Sequence, residues 1–142
     1  MLRALDLART GGDSGEVPVG AIVVRGTQVL GEGYNQPIAS HDPTAHAEIL
    51  ALRAAGRTLG DYRLLGCTLY VTLEPCPMCA AAMVHARLER LVFGAWDPRQ
   101  GAAGSAFRLL GGPGQNHRVD SFGGVLSAEC GALLERFFRE RR

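Results

Sequence analysis

The stretch CTLYVTLEPCPMCAAAMVHAR, residues 67–87, changes its period part-way along. Leu69, Val71 and Leu73 alternate, which sets them on one face of a strand. From Pro77 onward the run is small and apolar, with proline at a first helical position, the pattern of a helix beginning. A strand over 67–74 therefore feeds directly into a helix over 77–87, and two thiols, Cys76 and Cys79, fall at the junction. Such a strand needs a sheet to pair with, and the helix needs a face of that sheet to cover. The chain is thereby committed to an α/β arrangement.

The flanking sequence extends this unit. Leu2, Leu5 and Ala8 recur at helical spacing, which predicts a helix over 2–10 stopped by Gly11-Gly12. VPVGAIVV (17–24) and QVLGEGYN (28–35) read as two strands joined by a hairpin turn at Arg25-Gly26-Thr27. A loop with Pro37 and Pro43 leads into a helix over 44–56, for which Asp42 is the expected N-cap and Pro43 the first-turn residue. RLVFGA (90–95) is a further strand, and residues 97–118, rich in glycine and proline, read as a long loop around a short helix. An amphipathic helix begins at about Ser127. Strand-helix-strand units favour right-handed parallel crossovers. The expected architecture is a mixed sheet of about five strands with helices on both faces. No repeat or linker interrupts residues 1–142, which read as a single domain.

Hydrophobic content of 46% and charged content of 20% exclude a disordered chain. A formal net charge of +1 does not mark a nucleic-acid binder. All fifteen basic residues are arginine, which suits phosphate contacts, but the count alone does not show them. No segment reaches the roughly 18 consecutive apolar residues of a membrane span. Asp6 interrupts the first apolar stretch, so these residues are not expected to act as a signal sequence. A cytosolic protein is expected. Thiols stay reduced there, so cysteines at short spacing read as metal ligands or redox groups rather than disulfides.

A lone C-x-x-C is ambiguous between these, but DPTAHAEIL (42–50) adds His46 and Glu48 to it. One histidine and two cysteines suit tetrahedral zinc. The remaining cysteines are poor fourth ligands. Cys67 starts the strand that leads to Cys76, about 20–30 Å away along it. Cys130 lies in the last helix. Both read as packed free thiols. Three protein ligands leave one position for water, as catalytic rather than structural zinc sites do. Residues i and i+2 point about 200° apart on an ideal helix, so His46 and Glu48 do not both bind one ion from a helix interior. At a first turn the spacing fits one ligand and one proton shuttle.

H-A-E followed by P-C-x-x-C resembles the zinc-dependent nucleobase deaminases. EVPVGAIVV, GEGYNQPI, HDPTAHAEILALR, TLYVTLEPCPMCAAAMVHAR, VFGAWD, GAAGS, NHRV and LLERFFRERR together resemble, in order and over nearly the whole chain, the bacterial tRNA wobble-adenosine deaminases. GAAGS, NHRV and the FF-R-x-R tail narrow the likeness to that branch. The resemblance implies a three-layer α/β/α cytidine-deaminase-like fold and a homodimer. It implies one Zn2+ per subunit, and hydrolysis of adenosine to inosine in a tRNA anticodon stem-loop. It makes His46, Cys76 and Cys79 the zinc ligands and Glu48 the proton shuttle. Asn35 and the Ala47 backbone become base contacts, Val17 and Pro18 pocket wall, and Asp97 part of an RNA-facing loop. Trp96 departs from the polar or basic residue often found at its position. Phe137 continues an apolar stripe of the last helix, whereas Phe138 and Arg139 lie off it and are candidate RNA contacts. Two rivals share the zinc motif: a deaminase of free guanine or cytosine compounds, and a zinc-stabilised binding module without catalysis.

Overall fold

The computed structural model describes residues 1–142. Helix α1 (Leu2–Asp13) precedes a hairpin of β1 (Gly20–Arg25) and β2 (Gln28–Tyr34). A single turn, α2 (Pro37–Ser40), and a longer helix, α3 (Ala47–Leu59), follow. Then come β3 (Thr68–Leu73), α4 (Pro77–His85), β4 (Arg90–Ala95), β5 (Asp120–Phe122) and α5 (Ser127–Arg139). The sheet order is β2-β1-β3-β4-β5. β1 is antiparallel to both of its neighbours, and β3, β4 and β5 run parallel, so the sheet is mixed as expected. Arg25 pairs with Gln28, which leaves Gly26 and Thr27 as the turn, and Gly26 takes a φ of +61° that suits a residue without Cβ.

Helices cover both faces. α3 and α4 close the larger core, in which Ala47, Ala51, Ala55, Ala80 and Met83 meet Ala21, Val23, Leu69, Val71, Leu91 and Phe93. On the other face Leu5 and Ala8 of α1 pack with Cys130 and Leu133 of α5. The layer over β2 is unusually close. Gly31 and Gly33 share a face of β2, and a Cβ at either would run into the backbone of α3 around Ala47, Ala51 and Ala55. Missing side chains on the strand and alanines on the helix let the backbones approach, which fixes where the N-terminus of α3 lies. At Gly33 a Cβ would stand 2.6 Å from the Ala47 carbonyl oxygen and 2.9 Å from the Ala51 nitrogen. We therefore expect Gly33→Val to destabilise the fold by at least the roughly 1–3 kcal/mol of ordinary overpacking. Chemical denaturation measures this as a lower midpoint at unchanged slope.

Five local expectations are corrected. Gly11-Gly12 do not stop α1, which continues to Asp13; their bare Cα atoms instead admit Tyr34 and Pro18 against the helix. The first strand starts at Gly20 rather than at residue 17. Asp42 does not cap α3, because its Oδ1 accepts from the backbone N–H and hydroxyl of Thr44, at 2.8 and 2.7 Å, in a local turn. The helix starts later, with His46 in the N-cap position, and runs on to Leu59, where Gly60 at φ +70° ends it. Residues 97–118 contain no helix; turns surround an isolated bridge between Ala103 and Arg108.

Candidate metal centre and active site

Two helix N-termini converge at the ends of the strands. His46 is the N-cap of α3, with extended backbone at φ −74° and ψ 152°. Cys76 is the N-cap of α4, Pro77 follows at its first position, and Cys79 lies in its first turn. The unpaired N–H groups and positive dipole ends of both helices favour anionic sulfur there. His46 Nδ1 is 3.6 Å from Cys76 Sγ and 3.5 Å from Cys79 Sγ. All three donor atoms lie within 4.8 Å of one another. Zn–S bonds of about 2.3 Å and Zn–N bonds of about 2.0–2.1 Å at a tetrahedral angle require an N···S separation of roughly 3.6 Å. The three side chains are already spaced to hold such an ion. Cys67 and Cys130 are buried in the two cores and take no part in the group.

The two thiols are coupled by a hydrogen bond. The hydrogen bond from Cys79 holds the Cys76 thiol down at about 4, and the same bond, with burial, pushes Cys79 up. His46 is raised by its bond to Cys76. Glu48 projects from the first turn of α3 and is only 4% exposed. Its carboxyl lies against the Cys79 thiol, and burial raises its pKa above the usual carboxylate range. Glu48 is thus beside the donors without being one of them.

Asn35, just past the end of β2, closes the mouth of α3. Its Oδ1 accepts from the Ala47 N–H at 2.8 Å, supplying the cap that Asp42 does not. That bond fixes the amide through its oxygen. The structure thus brings together His46, Glu48, Cys76, Cys79, Asn35 and Ala47.

Residues 1–95 match the cytidine and deoxycytidylate deaminase zinc-binding region. The tRNA-specific adenosine deaminase of Haemophilus influenzae is 50% identical over 143 residues, covering 100% of this chain and 83% of the relative. The tRNA-specific adenosine deaminase of Bacillus subtilis is 44% identical over 142 residues, covering 100% of this chain and 88% of the relative. The chain belongs to the tRNA-specific adenosine deaminase family. A solved structure from a study of A-to-I editing by tRNA:A34 deaminases superposes with a TM-score of 0.89 at 44% identity. That superposition covers 92% of this chain and 95% of the other. The cytidine-deaminase-like α/β/α fold and the zinc cofactor expected from the sequence follow from this membership and from the donor geometry.

Other residues singled out in the sequence occupy different places. Asp97 follows β4, and its Oδ1 accepts from the N–H groups of Arg99 and Gln100, at 3.0 and 3.2 Å, as the cap of a tight turn. Val17 packs on the larger core. Pro18 lines a cavity of about 190 Å³ between α1 and α5 with Arg9, Leu133 and Phe137. Phe137 is buried and Phe138 is 47% exposed, the division predicted from helical phase. Arg139 lies beside Phe138 on the exposed end of α5. Arg141 folds back over the Phe137 ring at 3.6 Å.

Two buried carboxylates escaped the sequence reading. Glu16 accepts from the N–H groups of Ile38 and Ala39, at 3.1 and 2.9 Å, and so holds α2 next to Asn35. Glu74 accepts from the Ser105 hydroxyl. Their partners lie 22 or more residues away in the chain, and no local pattern announces them.

Proposed function

We propose that this chain hydrolyses adenosine to inosine at the wobble position of a tRNA anticodon, releasing ammonia. The carrying observation is a buried carboxylate, Glu48, beside three donors at zinc spacing, in a chain that matches tRNA-specific adenosine deaminases along its whole length. His46, Cys76 and Cys79 would hold the zinc, which when bound would supply Lewis-acid activation of water. Glu48 takes up the proton that water loses and delivers it to the ring nitrogen beside the amino-bearing carbon. The water oxygen bonds to that carbon, Glu48 carries the proton left on that oxygen to the amino nitrogen, and the carbon–nitrogen bond breaks to release ammonia. The Asn35 NH2 group orients the base. The Ala47 N–H is engaged by Asn35, which sets that amide beside the Ala47 backbone, the expected contact to the base edge. An anticodon base that is already unstacked costs little to extrude into the site.

Residues 1–142 act as one deaminase domain in the cytoplasm. Two copies assemble as a homodimer, for which the apolar groove of about 730 Å³ between α3 and α4, lined by Ile49, Leu52, Tyr62 and Ala82, is the candidate face. No helix is long and apolar enough to cross a membrane. Incubation with tRNA transcripts followed by detection of inosine tests the activity. Parallel incubation with free guanine, cytosine and their nucleosides tests the rival. Inosine in RNA with no turnover of free compounds is the expected result.

Val17 supports the pocket from the larger core, Pro18 faces the separate cavity between α1 and α5, and Asp97 shapes the loop after β4. At the far end of α5, Phe138 offers an exposed ring for an unpaired base and Arg139 a charge for phosphate. Arg141 is engaged with Phe137 and is better left in place. Phe138→Ala and Arg139→Ala should each weaken binding of an anticodon stem-loop, and Arg139→Ala should also lower its salt dependence by about one phosphate contact. Zinc content and melting temperature should not move. A binding titration at two salt concentrations checks both; equal affinity would shift the RNA surface toward Asp97–Gly101 and the loop around His41.

A further inference from the structure

The GAAGS stretch, residues 101–105, takes no part in the chemistry above. Its structural partner is Glu74, the residue after β3 and two before the ligand Cys76. Glu74 is 2% exposed. One carboxylate oxygen accepts from the Ser105 hydroxyl at 2.6 Å. The other is buried with no protein partner. A half-satisfied buried carboxylate is expensive, and an apolar residue would pack at the strand end more favourably. Packing alone therefore gives no reason for glutamate here.

The surrounding loop is built around that carboxylate. A Cβ at Gly101 would coincide with it, so the loop backbone lies directly on the Glu74 side chain. The Ala102 N–H donates to the Pro75 carbonyl at 2.7 Å, and the Gly101 N–H to the Asp97 carbonyl at 2.9 Å. Ala106 and Phe107 return their N–H groups to the Gly101 carbonyl at 2.9 and 3.0 Å. Glu74 itself donates its N–H to Ala95, at the end of β4. The loop is thus folded over the two residues that lead into the metal ligand. It stands at the carboxyl ends of parallel β3 and β4, the side on which open α/β sheets take ligands. Its outer face presents Arg99, Gln100 and Phe107 to solvent, with Trp96, 53% exposed, at its root. Aromatic rings and guanidinium groups of this kind suit unpaired nucleotides.

We infer that Glu74 is a positioning residue for the RNA. Through the Ser105 hydroxyl, and with Gly101 seated on its carboxylate, it latches residues 97–107 against the strand end that carries Cys76. Nucleotides flanking the reacting adenosine then meet a preformed surface. The inference rests on the tRNA deaminase reading. A loop held in its binding geometry costs nothing to order on encounter, whereas a released one lowers apparent affinity by the fraction of time it is out of place.

The test uses the zinc-loaded full chain and the variants Ser105→Ala, Ser105→Thr and Glu74→Gln. Turnover of an anticodon stem-loop gives kcat and KM, and a titration with the inosine-containing product gives an affinity free of chemistry. Zinc content and melting temperature are read alongside. Ser105→Ala should raise KM and the product Kd about tenfold, the scale of one hydrogen bond to a charged group, with kcat within about twofold. Ser105→Thr, which keeps the hydroxyl, should restore both. Glu74→Gln, with a neutral acceptor, should fall between. Zinc should stay at wild-type content in all three. Unchanged KM and Kd in Ser105→Ala, even with a lower melting temperature, would overturn the latch, and so would loss of zinc, which would make Glu74 a support of the metal site. A wild-type chain that forms no inosine would overturn the deaminase reading and the latch with it; a wild-type chain that does, beside variants indistinguishable from it, would overturn the latch alone.

Discussion

Glu48→Ala should lose deamination by at least the about 10²–10⁴-fold that general acid–base groups contribute, while zinc and fold remain. The expectation follows from where the carboxyl sits. Glu48 is buried beside Cys79, but the donor set is complete without it: His46, Cys76 and Cys79 already stand at the separations a tetrahedral ion requires. Removing the side chain takes away the one buried carboxyl placed against the donors and leaves the ligands untouched. It also removes a group whose burial opposes its own ionisation, so stability should hold or rise. Glu48→Gln separates proton transfer from shape, because the amide fills the same space and cannot shuttle. Both variants should bind about one zinc per chain and melt with the wild type, and both should fail in single-turnover inosine formation. Near-native turnover in either would remove Glu48 from the mechanism.

The parts of this site that were legible in the sequence are those whose signal is local. The switch from period two to small apolar residues at Pro77 locates both thiols at a strand-to-helix junction, and β3 and α4 lie there. The two-residue offset of His46 and Glu48 assigns them different roles, and α3 begins between them. Strand β4 matches its expected limits because RLVFGA is apolar and bounded by charge and turn residues. What could not be read depends on a competing local turn or on contacts remote in the chain. Asp42 has the composition of a helix cap, yet Thr44 competes for its carboxylate, and Asn35 caps the helix from the end of another strand. Gly11 and Gly12 have the composition of a helix stop, but they serve close contact with Tyr34 and Pro18. β5 is three exposed residues with no apolar alternation, so its pairing with β4 decides it rather than any propensity.

Replacing the thiols tests whether the centre is open. Cys76→Ser and Cys79→Ser should each lose zinc and, with it, activity. A serine hydroxyl stays protonated where a thiolate is available, and one of only three protein ligands is gone. The convergence of two helix N-termini does not rescue the site, since dipole stabilisation of about 0.3–1 kcal/mol is small beside a metal–thiolate bond. Cys67→Ser and Cys130→Ser provide the contrast. Cys67 is buried in the larger core and Cys130 in the smaller, where its sulfur fills the space left by the bare Cα of Gly94. A hydroxyl at either place is a buried polar group in an apolar surrounding, at a cost of about 1–3 kcal/mol. These two variants should therefore melt earlier than wild type yet keep about one zinc per chain and the wild-type rate at a temperature where they are folded. Metal analysis after gel filtration, paired with inosine formation, distinguishes the two classes. Loss of zinc from Cys67→Ser or Cys130→Ser would mean a fourth protein ligand and a closed, structural centre. A closed centre has no position for the water that the reaction consumes, so that outcome would also end the hydrolytic assignment.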